Sequence, residues 1–172
     1  IMSASRRLAN DLVESLISRG ENLALAESVT GGELAAAITD IAGSSQIFMG
    51  SLVTYSNSSK VALLGLDAAM IERCGVVSNE VALAMAEGAR TRLGTVWSIA
   101  TTGIAGPGPY DGVPAGRVWV AVAGPVSRVE KLELGEIGRE QVRNGAVIGA
   151  LALLTRILRE HAGGLGSGSV PE

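Results

Sequence analysis

Three observations in the sequence predict an α/β fold, a three-layer α/β/α sandwich with a mixed sheet. Short apolar segments typical of buried strands alternate with segments whose apolar residues recur at helical spacing. The composition is 47% hydrophobic but only 3% aromatic, which suits closely packed α/β layers. The length of 172 residues is enough for one core. We therefore expect a single domain over 1–162, followed by a flexible glycine- and serine-rich tail over 163–172.

The first third of the chain alternates helix and strand patterns. Residues 3–20 repeat apolar positions at helical spacing and end at a glycine that can cap the helix. The segment "NLALAES", 22–28, predicts a short buried strand. A helix is predicted over 31–43, closed by Gly43, and a second strand over 47–56.

Two short helical patterns, 58–65 and 67–75, precede a stronger helix over 78–94, which Ser78 can cap. A third strand is predicted over 96–103. Helices thus lie before, between and after the strands, which favours a layered α/β fold.

The last part of the chain contains two strand patterns and one long helix. Residues 117–124 and 127–135 are joined by a Gly-Pro pair, so they predict a hairpin at the edge of the sheet. Apolar residues at helical spacing over 139–161 predict the final helix.

Charge and composition disfavour several classes of protein. The net charge is −3 and no run of basic residues occurs, which argues against a nucleic-acid partner. No apolar stretch is long and uncharged enough to span a bilayer, and the N-terminus is amphipathic rather than a secretion signal. Cys74 is the only cysteine, so no disulfide can form within the chain. We therefore expect a cytoplasmic protein without a membrane partner.

The scarcity of histidine and cysteine restricts the chemistry. His161 is the only histidine and lies at the end of the last helical pattern, where an imidazolium is stabilised by the helix C-terminus. A Cys/His zinc site within one chain is excluded, and a Ser-His-Asp triad would need this histidine to fold back from the end of the domain. We expect no metal and no cofactor, and any hydrolytic chemistry must use other groups.

Polar residues follow directly on three of the predicted strands, in the segments 27–32, 55–60 and 101–109. Open α/β sheets bind ligands at such strand ends. In the first, Ser28 precedes a helix N-terminus whose free N–H groups favour an anion. The alternative is that Ser28 or Thr30 only caps this helix.

The second segment contains Lys60, one of two lysines against twelve arginines. Lysine can lose its proton when desolvated and act as a base, whereas arginine cannot. Tyr55 could pair with Lys60 through its phenol. The alternatives are a solvated helix lysine and an amphipathic tyrosine at a strand end.

The third segment has small residues over 102–106 that let a ligand approach the backbone, although a structural turn would explain them equally well. Arg139 and Arg143 lie four residues apart at the start of the last helix. Their positive charges repel each other at this spacing, and the positive end of the helix dipole repels both. A bound phosphate would offset that repulsion, and so would ion pairs with Glu136 and Glu140.

The motifs "AESVTGG", "YSNSSK", "LLG", "GVVSNEVALAMAEGAR", "TTGIAGPG" and "GRVWVAVAG", in this order, closely resemble the CinA C-terminal domain family. The resemblance runs from about residue 6 to residue 161, and its stand-alone members are nicotinamide mononucleotide deamidases. It implies a three-layer α/β/α fold and a homo-oligomer without metal. It also implies hydrolysis of nicotinamide mononucleotide, a small-molecule nucleotide substrate, to nicotinic acid mononucleotide and ammonia in pyridine nucleotide salvage.

The resemblance implies a role for each candidate residue. Ser28 would be the nucleophile, and Lys60 with Tyr55 would accept its proton and return one to ammonia. The remaining implied contacts are an oxyanion site at the N–H groups of Thr30, Gly31 and Gly32, a nucleotide pocket at Thr102, Gly103, Ala105 and Gly106, and a 5′-phosphate site at Arg139 and Arg143.

Three stretches depart from the usual family pattern. Val29 stands where the family often has cysteine, which a serine mechanism does not need. The loop 107–116 and the segment "GEIGRE" also differ from the common pattern. These departures leave open a nucleotide-binding or regulatory domain without turnover, and the high apolar content leaves open a structural oligomerisation module.

Overall fold

A computed structural model describes residues 1–161 of the chain, so the predicted tail at 163–172 lies outside the described residues. None of the helices in this part of the chain is long and apolar enough to cross a membrane. The elements follow one another as α1 (Ala4–Arg19), β1 (Leu23–Glu27), α2 (Glu33–Thr39), a 3₁₀ turn (Ser44–Gln46), β2 (Phe48–Val53), α3 (Asn57–Leu64), α4 (Ala68–Cys74), α5 (Asn79–Leu93), β3 (Trp97–Gly103), β4 (Arg117–Ala123), β5 (Arg128–Glu133) and α6 (Arg139–Glu160).

The strands form one mixed sheet in the order β2-β1-β3-β4-β5. Strand β1 runs parallel to both of its neighbours, whereas β4 pairs antiparallel with β3 and β5. The predicted hairpin of β4 and β5 at the sheet edge is confirmed. The carboxyl ends of β2, β1 and β3 consequently meet at one edge of the sheet.

Helices cover both faces of the sheet and confirm the three-layer sandwich. Successive strand residues point to opposite faces. In β1, Leu23 and Leu25 join the core beneath α1, α2 and α6, while Ala24 and Ala26 join a second core beneath α3, α4 and α5. The small alanine side chains let α5 pack closely over the centre of the sheet.

One predicted helix is shorter than its pattern suggests. The helix expected over 31–43 spans only Glu33–Thr39, because Gly32 has a φ of 104° and Gly43, with a φ of 88°, begins the 3₁₀ turn. Ile38 and Ile41 are both buried and lie three residues apart. This spacing is typical of one face of a helix, so the sequence pattern continues past the residue at which the helix ends.

The other predicted helices and strands are confirmed to within a few residues at their ends. Gly20 caps α1 in the left-handed conformation, and the hydroxyl of Ser78 accepts the Val81 N–H of α5. His161 lies at the C-terminal end of α6, as expected.

Candidate active site

Three hydroxyl side chains lie in a row where the parallel strands end. Glu27 is in register with Val53 of β2 and with Thr101 of β3. The Thr54 N–H donates to the Glu27 carbonyl at 2.9 Å, and the Ser28 N–H donates to the Thr101 carbonyl at 3.0 Å, so the pairing continues by one residue. Strand alternation therefore places Thr54, Ser28 and Thr102 side by side on the face covered by α3 and α5.

Lys60 of α3 reaches the middle of this row. Its side chain is fully buried, and its Nζ lies 3.0 Å from the Ser28 Oγ, 2.6 Å from the Thr54 carbonyl oxygen and 3.2 Å from the Tyr55 carbonyl oxygen. Burial lowers the pKa of Lys60 to about 8. The alternative of a solvated helix lysine is therefore wrong.

The three oxygen atoms around Lys60 match a neutral amine. Such an amine has two N–H donors for the two carbonyls and one lone pair, which can accept the Ser28 hydroxyl proton. Protonation adds a third donor, which the Ser28 Oγ can accept without rearrangement. An arrangement of this kind can serve as a nucleophile beside a general base.

The carboxylate of Glu27 caps α2 from inside the protein. Its side chain is fully buried, and each of its two oxygens accepts several hydrogen bonds. The alternative in which Ser28 or Thr30 caps this helix is therefore wrong. The donors to Glu27 are the N–H groups of Gly32, Leu34 and Ala35 and the hydroxyls of Thr30 and Ser51, at 2.7–3.2 Å.

Sequence reasoning did not assign this role to Glu27. The available signal was a lone carboxylate at the end of an apolar strand and directly before a helix N-terminus, where acidic groups are stabilised. The carboxylate fixes the start of α2, and with it the turn that presents Ser28.

Two of the four N–H groups of the turn at 29–32 donate within the protein. Gly31 donates to the Ser28 carbonyl at 3.1 Å, and Gly32 donates to the Glu27 carboxylate at 3.2 Å. Among the residues that the structure describes, the Val29 and Thr30 N–H groups have no acceptor. Thr30 is fully buried, so an oxyanion site in this turn would use the Val29 N–H, and direct contact of Thr30, Gly31 and Gly32 with a substrate stays a prediction.

A cleft of about 430 Å³ opens beside Ser28, a volume within the usual range for small-molecule sites. Lys60, Thr30, Gly31, Gly32 and Arg143 are not on its surface. Its apolar wall includes Ile104, which lies within the predicted segment 102–106, and Val76, Val77 and Tyr110, which were not predicted. The predicted residues that line it are Ser28, Tyr55, Thr102, Gly103, Ala105, Gly106 and Arg139.

Arg139 lies at the mouth of this cleft. Its guanidinium donates to the Gly106 carbonyl at 2.7 Å and to the Tyr55 phenol oxygen at 3.1 Å. The expected pairing of the Tyr55 phenol with Lys60 is therefore wrong, because the phenol oxygen bonds to Arg139, Tyr55 as a residue is 64% exposed, and only its carbonyl contacts the lysine.

Arg143 lies one turn further along α6 and holds the turn that follows Ser28. It donates to the Val29 carbonyl at 3.1 Å and to the Thr30 carbonyl at 3.0 Å, and it forms an ion pair with Glu33 at 2.9 Å. Its positive charge is thus balanced by Glu33, whereas Glu136 accepts the Gly108 N–H. Contact between Arg143 and a phosphate stays a prediction.

The described part of the chain contains no group of three or more His, Cys, Asp or Glu residues that could hold a metal ion. Ser28 and Arg139 line the cleft, and the buried Lys60 amine contacts the Ser28 hydroxyl.

Fold and site together define an α/β protein that presents a buried serine–lysine pair at the carboxyl edge of a mixed sheet. The chain belongs to the CinA family: the CinA C-terminal domain model matches residues 5–158. This membership confirms the resemblance carried by the motifs.

Relatives and solved structures agree with this assignment. A CinA-like protein of Parasynechococcus marenigrum (strain WH8102) is 48% identical over 154 residues, which are 88% of this chain and 37% of that protein. A CinA-like protein of Synechococcus sp. (strain RCC307) is 46% identical over 150 residues, or 86% of this chain and 36% of that protein. The chain thus spans little more than a third of the curated relatives it matches.

A crystal structure of the competence/damage inducible protein CihA from Agrobacterium tumefaciens is similar to this fold along almost its whole length. It is 34% identical with a TM-score of 0.87, and the match covers 92% of this chain and 98% of that chain.

Proposed function

We propose that the chain is an amidohydrolase that converts nicotinamide mononucleotide to nicotinic acid mononucleotide and ammonia, in pyridine nucleotide salvage. The observation that carries the proposal is the Lys60 Nζ, buried and 3.0 Å from the Ser28 Oγ, at the side of a cleft large enough for a mononucleotide. Membership of the CinA family supports the choice of substrate.

The first half of the reaction transfers the acyl group to the protein. The Ser28 Oγ attacks the carboxamide carbon, and its proton passes to neutral Lys60. The tetrahedral intermediate places its negative oxygen near the N–H group of Val29, which lines the cleft. Lys60 then gives the proton to the amide nitrogen, the carbon–nitrogen bond breaks, and that nitrogen leaves as ammonia. An ester of Ser28 remains.

The second half consumes water. Neutral Lys60 takes a proton from a water molecule whose oxygen bonds to the ester carbon, and the bond to the Ser28 Oγ breaks as that oxygen is protonated. Nicotinic acid mononucleotide is released, and both side chains return to their starting states.

Arg139 is suited to bind the 5′-phosphate. It lies at the cleft mouth and at the N-terminal end of α6, where unpaired N–H groups and the helix dipole favour an anion. The small residues at 102–106 allow the nucleotide to lie close to the backbone.

The test is ammonia release from nicotinamide mononucleotide by the wild type and by Ser28→Ala, with the exposed Ser58→Ala as a matched control. We expect turnover in the wild type and the control and none in Ser28→Ala. Wild-type binding without ammonia release, seen as a ligand-dependent rise in melting temperature, would instead identify a nucleotide-binding domain.

The same resemblance leads us to propose that copies of the chain assemble as a homo-oligomer. From the net charge, the apolar patterning and the single cysteine we further propose a cytoplasmic protein without nucleic-acid or membrane partners. Light scattering coupled to gel filtration measures the assembly directly, and a monomer at all concentrations would refute that part of the proposal.

A further inference from the structure

The hydroxyl of Thr54 stands out among the polar groups at this site. The residue is fully buried, and within the described residues its Oγ1 is the buried side-chain polar atom that has no hydrogen-bond partner. Leaving a buried hydroxyl unpaired is costly, so such a group in a native protein needs an explanation. The backbone of Thr54 is already used by Glu27 and Lys60, which leaves the hydroxyl for a ligand.

The neighbouring threonine hydroxyls are all engaged within the protein. Thr102, on the other side of Ser28 in the row, donates to the Val76 carbonyl at 2.9 Å. Thr30 and Thr101 bond to each other at 2.8 Å on the opposite face. The unpaired group is thus the one on the residue that adjoins both Ser28 and Lys60.

We propose that the Thr54 hydroxyl holds the water molecule that hydrolyses the Ser28 ester. The inference rests on the proposed acyl transfer to Ser28. In the ester the Ser28 Oγ no longer has a proton to share, so the Lys60 lone pair is free to accept one from water. A water between Thr54 and Lys60 has the two polar partners that a buried water requires.

The step balances without a further reagent. The water oxygen bonds to the acyl carbon, one of its protons passes to Lys60, and the bond from the acyl carbon to the Ser28 Oγ breaks. The serine oxygen then takes the proton from Lys60. Thr54 touches the water alone and is a positioning residue for the second half of the reaction.

The test compares Thr54→Val, which keeps the shape and removes the hydroxyl, with Thr54→Ser, which keeps the hydroxyl. Nicotinamide mononucleotide and p-nitrophenyl acetate serve as acyl donors. In Thr54→Val we expect the rate of the first turnover to equal that of the wild type, with about one product molecule released per active site. The steady-state rate that follows should be lower than that of the wild type by on the order of 10²-fold. Intact-protein mass spectrometry should show the acyl group accumulating on Ser28, and Thr54→Ser should behave as the wild type.

Three outcomes for Thr54→Val would overturn the inference. The first is a steady-state rate equal to that of the wild type, and the second is an equal loss of the first turnover and of the steady-state rate. The third is a lower melting temperature, which would show that the Thr54 hydroxyl has a hydrogen-bond partner within the protein. A wild type that turns over the ester but not the nucleotide refutes the proposed substrate, and the ester assay still decides on Thr54. A wild type acylated by neither probe refutes both.

Discussion

At the residue scale, the environment of Lys60 determines the pH at which it can act. Burial lowers its pKa to about 8, and only the neutral amine can accept the Ser28 proton. We therefore expect kcat/KM for nicotinamide mononucleotide, which reports on the free protein, to fall about tenfold for each pH unit below 8 and to level off above it.

The control for this profile is Lys131→Met, because Lys131 is the other lysine and is exposed on β5. Its pH–rate curve should coincide with that of the wild type. A rate that is independent of pH between 6 and 9 would contradict the assignment of Lys60 as the base.

The sequence was informative about the identity of these residues and less so about their contacts. A lysine kept in an arginine-rich chain predicted Lys60, and its pairing with Ser28 is observed. The direction of the Tyr55 phenol could not be predicted, because Arg139, its partner, is 84 residues away and the two meet only in the folded chain. The unpaired state of Thr54 likewise follows from packing alone.

At the element scale, the start of α2 depends on one buried carboxylate. Glu27→Gln replaces an acceptor of several N–H and hydroxyl donors with an amide that has one acceptor oxygen and an NH₂ group facing donors. We expect the free energy of unfolding to fall by about 1–3 kcal/mol and kcat to fall with it, since the turn bearing Ser28 loosens. Urea unfolding and ammonia release measure the two effects.

Glu80→Gln is the matched control, because Glu80 is an exposed acid in the first turn of α5. It should change stability by no more than about 0.5 kcal/mol. Equal effects of the two substitutions would show that the buried network around Glu27 has no special role.

The first turns of α6 carry two arginines with different expected effects. Arg143→Met removes the bonds to the Val29 and Thr30 carbonyls, so we expect mainly a lower kcat. Arg139→Met removes the cation at the cleft mouth, so we expect mainly a higher KM. Steady-state kinetics with nicotinamide mononucleotide separate the two, and the reverse pattern would exchange their assigned roles.

Element boundaries were predictable where a local signal ends the helix, as Gly20 does for α1. They were not predictable for α2, which begins at Glu33 beside the buried Glu27 carboxylate and ends at Thr39 although the buried Ile41 continues the helical spacing. The register that aligns Thr54, Ser28 and Thr102 belongs to strand pairing, which no local pattern determines.

At the scale of the whole molecule, the two cores share one sheet and the site lies at its edge. Ser28 follows β1, whose alternate residues enter different cores. Lys60 comes from α3, on one face of the sheet, and Arg143 comes from α6, on the other face. Loosening either core would displace one side of the site, so both layers have to be folded for the serine–lysine pair to form.

This coupling predicts that the two cores unfold together. Trp97 is buried in the core under α6, and Trp119 packs against the core under α5, so each tryptophan reports on one layer. In Trp119→Phe the fluorescence follows Trp97, and in Trp97→Phe it follows Trp119. Within each variant we expect the urea midpoint from fluorescence to equal that from far-ultraviolet circular dichroism, as in a two-state transition. A fluorescence midpoint displaced from the dichroism midpoint in either variant would show that its layer unfolds separately.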